Sequence, residues 1–148
     1  MHPVGILDTT TVVLLDRLHP DDLPSEPVIT SVTLAELSVG PLVTDDPGER
    51  AARQVRLQEA EAAFDPLPFD AAAARAFGRV AAALRRSGRR VRPRAFDALI
   101  AATAIANDLP VFTCNPRDFA GIDEVAIVPV PHPGHPSQAS GVRPPSPG

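Results

Sequence analysis

A chain of 148 residues with 44% hydrophobic content can bury one core but hardly two. Its formal net charge of −4 argues against a membrane-surface protein or a generally basic nucleic-acid coat. All fourteen basic residues are arginine, and without lysine there can be no P-loop nucleotide site, Schiff base or pyridoxal attachment.

Along the chain, residues 4–7 read as a short apolar strand and 10–18 as a helix, with Thr9 or Thr10 available as its cap. A second strand is expected at 28–31, running through Thr33 as N-cap into a helix that holds Leu34, Glu36 and Leu37. The turn-rich stretch 41–48 precedes a long polar helix at 49–64. Asp70 then caps an alanine-rich helix reaching Arg86, with Phe77, Val80 and Leu84 on its apolar face, and Gly88 ends it. Residues 94–107 predict a further helix whose buried side carries Phe96, Leu99, Ile100, Thr103 and Ala104. The closing strands are 111–113 and 125–130. Such alternation predicts an α/β fold: a central, mostly parallel sheet of about four to five strands with helices on both faces. From residue 131 the chain is Pro, Gly, Ser and His with little to bury, so a domain at 1–130 and a disordered tail at 131–148 are expected.

Four acidic motifs stand in order along this frame: Ile6-Leu7-Asp8-Thr9-Thr10, Thr33-Leu34-Ala35-Glu36-Leu37, Phe96-Asp97-Ala98-Leu99-Ile100 and Thr113-Cys114-Asn115-Pro116-Arg117-Asp118-Phe119. Each sets one carboxylate among apolar or small residues, where an ionised group is costly unless something positive meets it. In an open parallel sheet, sites form outside the carboxyl ends of the strands. Asp8 ends the first strand, Glu36 lies a helical turn past the second, and Asp118 follows the strand at 111–113. Asp97 sits on a helix and would have to point at the same crevice. Converging carboxylates with no His or Cys among them suit Mg²⁺ or Mn²⁺ rather than zinc.

Each acid alone has a plainer reading. Asp8, ahead of three threonines, fits a helix cap. Glu36 fits a solvated helix residue, Asp97 a first-turn acid complementing the helix dipole, and Asp118 a turn residue. It is their joint occurrence that favours a shared site. Arg85, Arg86, Arg89, Arg90, Arg92 and Arg94 crowd one ten-residue stretch, which fits an RNA contact, a solvated face, or pairing with acids on another chain. With no Trp or Tyr, any RNA contact leans on arginine more than on base stacking. His132-x-x-His135 has ligand-like spacing but no neighbouring ligand, and Cys114 reads as a small core residue. A single cysteine gives no sign of an oxidising compartment, and no apolar run approaches a membrane span. Met1-His2-Pro3 does not open a signal peptide, so a soluble cytoplasmic protein is expected.

These four motifs in order resemble PIN-domain ribonucleases of the VapC toxin type, over residues 4 to 130, with Ile127-Val128-Pro129 similar to that family's last strand. The resemblance implies a PIN-like fold, with Asp8, Glu36, Asp97 and Asp118 matching the metal-binding and catalytic quartet. It also implies a Mg²⁺-dependent endoribonuclease, with Mn²⁺ able to substitute, leaving 5′-phosphate and 3′-hydroxyl ends. Asn115 stands where some members have aspartate, and Thr9, Thr113 and Asn115 are candidates to orient ligands or water behind the acids. The implied partners are an RNA substrate, a small VapB-like antitoxin and a second copy in a homodimer. Two alternatives stay open: a PIN-type RNA-processing nuclease without antitoxin, and a catalytically silent partner module of a DNA-binding toxin–antitoxin complex.

Overall fold

The computed structural model describes residues 3–134, so His135 and most of the expected tail lie outside the described residues. Four short strands, β1 (Val4–Leu7), β2 (Glu26–Val28), β3 (Val111–Thr113) and β4 (Ile127–Pro129), form one sheet in the order β2-β1-β3-β4. Every pairing is parallel: Ile6 lies opposite Val28 and Val111, and Leu7 opposite Phe112. The twofold alternation of strand side chains then divides the core between two faces. Ile6 and Val111 bury with Val80, Leu84, Ile100 and Ala101. Leu7 and Phe112 bury with Val12, Leu37 and Ala60 on the other side. The chain thus adopts the expected two-faced α/β architecture.

On the first face, α4 (Ala71–Arg86) packs against α5 (Ala95–Ala106). Ala73, Ala76, Val80 and Leu84 recur at helical spacing and are buried, so small side chains let the helix approach its neighbour closely. Asp70 caps α4 by accepting from Ala73 N at 3.0 Å. Gly88, at φ 78°, ends the helix as expected, with Arg89 N donating back to Leu84 O at 2.9 Å. On the other face lie α1 (Thr9–Val13) and the polar α3 (Pro47–Ala63), which Asp46 caps and Pro47 opens. Between them, α2 (Ser31–Val39) contributes Val32 to one core and Leu37 to the other.

Several local expectations shift. Asp8, rather than Thr9 or Thr10, caps α1, which stops at Val13 and passes into a 3₁₀ turn, Leu15–Arg17. Thr30 replaces Thr33 as the cap of α2, because its extended backbone lets Thr30 Oγ1 accept from Thr33 N at 3.3 Å. β2 ends at Val28 instead of reaching residue 31, since the next residues pair with Leu67: Leu67 N donates to Ile29 O at 2.9 Å. β4 is shorter than 125–130, with Val125 drawn into a turn on Ile122. Phe96 is not buried but 56% exposed. The fully buried stripe of α5 begins at Ala98; in its first turn, directly after the unburied 3₁₀ turn Arg92–Arg94, Ala95 and Asp97 are half-buried and Phe96 faces outward. No helix among the described residues is long and apolar enough to cross a membrane.

Candidate active site

Asp8 leaves the carboxyl end of β1 and is 1% exposed. Its Oδ1 accepts from Thr11 N at 3.1 Å and from Thr11 Oγ1 at 2.5 Å, and its Oδ2 accepts from Thr113 Oγ1 at 2.6 Å. Thr113 Oγ1 in turn accepts from Asn115 N at 2.9 Å, so the 113–115 backbone turn polarises the hydroxyl toward Asp8. Burial raises the Asp8 carboxyl above its ordinary value; the three hydrogen bonds oppose that rise, and Asp118 adds to it. A carboxylate offers about four acceptor positions, and three are used, which leaves one on Oδ2. Asp8 therefore caps a helix with one acceptor position left unused.

Glu36, one turn into α2, accepts from Thr9 Oγ1 at 2.6 Å, and Thr9 Oγ1 lies 3.0 Å from Thr33 Oγ1. Burial raises the Glu36 carboxyl, the Thr9 hydrogen bond lowers it, and Asp8 raises it again. Asp97 opens α5 and is half-buried. Its carboxyl is pushed up to about 7, first by burial and then by Asp118, Asp8 and Glu36 in that order, with Arg94 acting the other way. Asp118 stands in the 3₁₀ turn Pro116–Phe119 that succeeds β3.

The four sequence-predicted acids lie near enough to couple: Asp118, Asp8 and Glu36 raise the Asp97 carboxyl, Asp118 raises Asp8, and Asp8 raises Glu36. They do not form a ready-made cage: among the described residues no three His, Cys, Asp or Glu side chains stand close enough to hold one ion. The donor set is nevertheless the one a hard divalent cation requires, oxygen only and anionic, with Arg94 the single cation acting on Asp97. The residues fit such an ion by chemistry and charge.

Thr9 donates to Glu36 and Thr113 to Asp8, whereas Asn115 meets Thr113 Oγ1 through its backbone N–H rather than its side chain. Thr11 was missed although it makes two of the three bonds to Asp8. The Asp-x-x-Thr spacing, in which an N-cap meets the third residue on, was the available signal. The arginines divide: Arg85, Arg86, Arg89, Arg90 and Arg92 are exposed, whereas Arg94 is half-buried and donates Nη1 to Arg117 O at 3.0 Å. Cys114 is buried as expected. An apolar cleft of about 500 Å³, lined by Val12, Leu15, Val55 and Phe64 among others, contains none of the four acids.

The PIN domain model matches residues 7–125. The chain is 40% identical over 127 residues to Ribonuclease VapC5 of Mycobacterium tuberculosis, spanning 84% of this chain and 91% of that protein. Among solved structures it is similar to VapBC-5 from M. tuberculosis, a member of the VapBC family of toxin–antitoxin systems. There the TM-score is 0.75 at 38% identity, covering 85% of this chain and 98% of that one. It is also similar to a DNA-bound VapBC from Salmonella typhimurium, with a TM-score of 0.68 at 28% identity over 86% and 97% of the two chains. With its family model spanning all four acids, the chain belongs to the PIN-domain family, in its VapC ribonuclease branch.

Proposed function

We propose that this protein is a VapC-type toxin: a Mg²⁺- or Mn²⁺-dependent endoribonuclease that acts in the cytoplasm and is held in check by a VapB-like antitoxin. What carries the reading is the convergence of Asp8, Glu36, Asp97 and Asp118, whose mutual repulsion at Asp97 only Arg94 opposes among the described residues. The VapC and VapBC names of its relatives support the substrate class and the partner. A divalent ion bound by these carboxylates would supply an activated water and neutralise charge developing on the leaving oxygen, giving 5′-phosphate and 3′-hydroxyl products.

The chain's own residues prepare that chemistry. Thr11 and Thr113 fix both oxygens of Asp8, so the carboxylate cannot rotate away from the crevice. Thr9 does the same for one oxygen of Glu36. Asp97, titrating near neutrality without a cation, gives up its proton when one arrives, which couples metal affinity to pH. An antitoxin that presents a basic side chain to the same acids would replace the cation by a charge-assisted hydrogen bond. A homodimer would set two such crevices in one particle.

The test is cleavage of a structured RNA by the purified chain with Mn²⁺, with Mg²⁺ and with chelator, mapping the new ends. Metal-dependent cuts bearing 5′-phosphates, lost in Asp97→Asn, are expected. Cutting at the parent rate in chelator, or by Asp97→Asn, overturns the assignment.

A further inference from the structure

The arginine-rich connection between α4 and α5 is not a free loop. Gly121, at φ 89°, lies against it: a Cβ placed there would come 2.6 Å from Ser87 Oγ and 3.2 Å from Arg89 Cδ. Only the bare glycine backbone lets the Arg89 stem lie flat on the segment just past Asp118. At its other end, Arg94 Nη1 holds Arg117 O, the carbonyl just before Asp118. The connection is therefore pinned at both ends to the strand-end segment that supplies one acid and adjoins another, Asp97. Arg85, Arg86, Arg89, Arg90, Arg92 and Arg117 are exposed and make no ion pair among the described residues, where the arginine pairs are Arg53–Glu49 and Arg79–Glu124. Such a concentration of unpaired charge, in a chain whose net charge is negative, marks a local anion-binding surface. Beside it, in the same turn as Asp97, Phe96 exposes 56% of its surface.

We infer that this rim is the path by which a single-stranded stretch of RNA reaches the acid crevice, the arginines tracking phosphates and Phe96 stacking on a base next to the scissile bond. Duplex RNA does not suit it, because a paired base has no free face to offer an aromatic side chain. The docked geometry matters: arginines held by Gly121 and Arg94 lose less freedom on meeting the backbone than a mobile loop would. The inference rests on the nuclease reading above and adds the side chains that meet the substrate.

The experiment uses the full chain, a fluorescent mixed-sequence single-stranded RNA and chelator to prevent cutting, with anisotropy read across a salt series. Replacing Arg89, Arg90 and Arg92 with glutamine should weaken binding about tenfold at moderate salt. It should also flatten the log–log salt slope by about 2, since each phosphate contact on a single strand contributes about 0.7. Phe96→Ala should weaken binding about fivefold with the slope unchanged, and Phe96→Leu, apolar but without a ring, should behave like Ala. The Mn²⁺-induced rise in melting temperature should survive in all three, showing fold and acid crevice intact. Parent-like affinity and slope in the arginine variant overturn the path. So does loss of binding that accompanies a change in oligomeric state or antitoxin affinity, which makes the rim a protein interface. Failure of the unsubstituted chain to cut RNA with metal strikes the nuclease reading itself; cutting retained with parent-like variants strikes the rim alone.

Discussion

Replacing Asp97 with asparagine should stabilise the metal-free protein and destabilise it, relative to the parent, once Mn²⁺ is present. The Asp97 carboxyl moves from an ordinary 3.8 to about 7 on folding. Fully expressed, that corresponds to about 4 kcal/mol of differential free energy. Because the side chain is only half-buried, solvent screening leaves roughly 1–2 kcal/mol. Against this, the variant loses the attraction between a first-turn carboxylate and the α5 dipole, about 0.3–1 kcal/mol. The result is a net gain of about 1 kcal/mol at pH 8, or a rise of about 2–4 °C in melting temperature for a domain of this size. The sign with pH is fixed: below 3.8 both states are protonated and the group is silent. Between 3.8 and about 7 the unfolded chain ionises while the folded one keeps its proton, so the parent loses stability as pH rises. Asp97→Asn should flatten that descent. Saturating Mn²⁺ reverses the order, since a ligand at 100 times its Kd contributes about 2.7 kcal/mol to the state that binds it. Thermal unfolding of both proteins at pH 5 and 8, with chelator and with Mn²⁺, provides the four comparisons. A variant less stable than the parent in chelator at pH 8, or an order that metal leaves unchanged, refutes the shared acid crevice.

The same geometry sets other outcomes. Thr113→Val, nearly isosteric, removes the donor to Asp8 Oδ2 and should cost about 1–3 kcal/mol by urea unfolding, with Mn²⁺ affinity reduced as well. Asp8→Asn should lose most of the Mn²⁺-induced thermal shift, because the remaining acceptor position on Oδ2 no longer carries charge. Leu84→Ala, at a fully buried position in the α4–α5 core, should cost about 2–5 kcal/mol by urea midpoint without altering the metal response of the protein that stays folded. Gly121→Ala should destabilise by about 1–3 kcal/mol through its left-handed backbone and its contact with Ser87, read as a fall in melting temperature.

The sheet and its acids were legible in the sequence because two simple rules held along most of the chain. Parallel strands buried on both faces read as short apolar runs, and β1 and β3 fell where those runs lay. A carboxylate just past such a run sits at the sheet's carboxyl edge whatever the neighbouring elements do, which is why Asp8 and Asp118 could be placed from the strands alone. Capping was less legible, since a threonine-rich turn offers several hydroxyls and only the backbone conformation selects one. Thr30 won over Thr33 because the chain at Ile29 and Thr30 was already committed to pairing with Leu67, a partner 37 positions from Thr30. Local sequence holds no trace of that pairing.

Phe96 escaped for the opposite reason. Its spacing to Ile100 and Thr103 is faultless as a buried stripe, but periodicity states which residues share a face and not where the covering neighbour stops. Here α4 ends at Arg86, before the first turn of α5, and gives way to a run of arginines pinned to the Asp118 segment. The same termination that bares Phe96 also turns the arginine run outward beside Asp97. The uncovered ring of Phe96 and the exposed arginines beside it are the pairing on which the proposed RNA path rests. Under that proposal, the arginines would meet the phosphates of a polyanion and the ring one of its exposed bases.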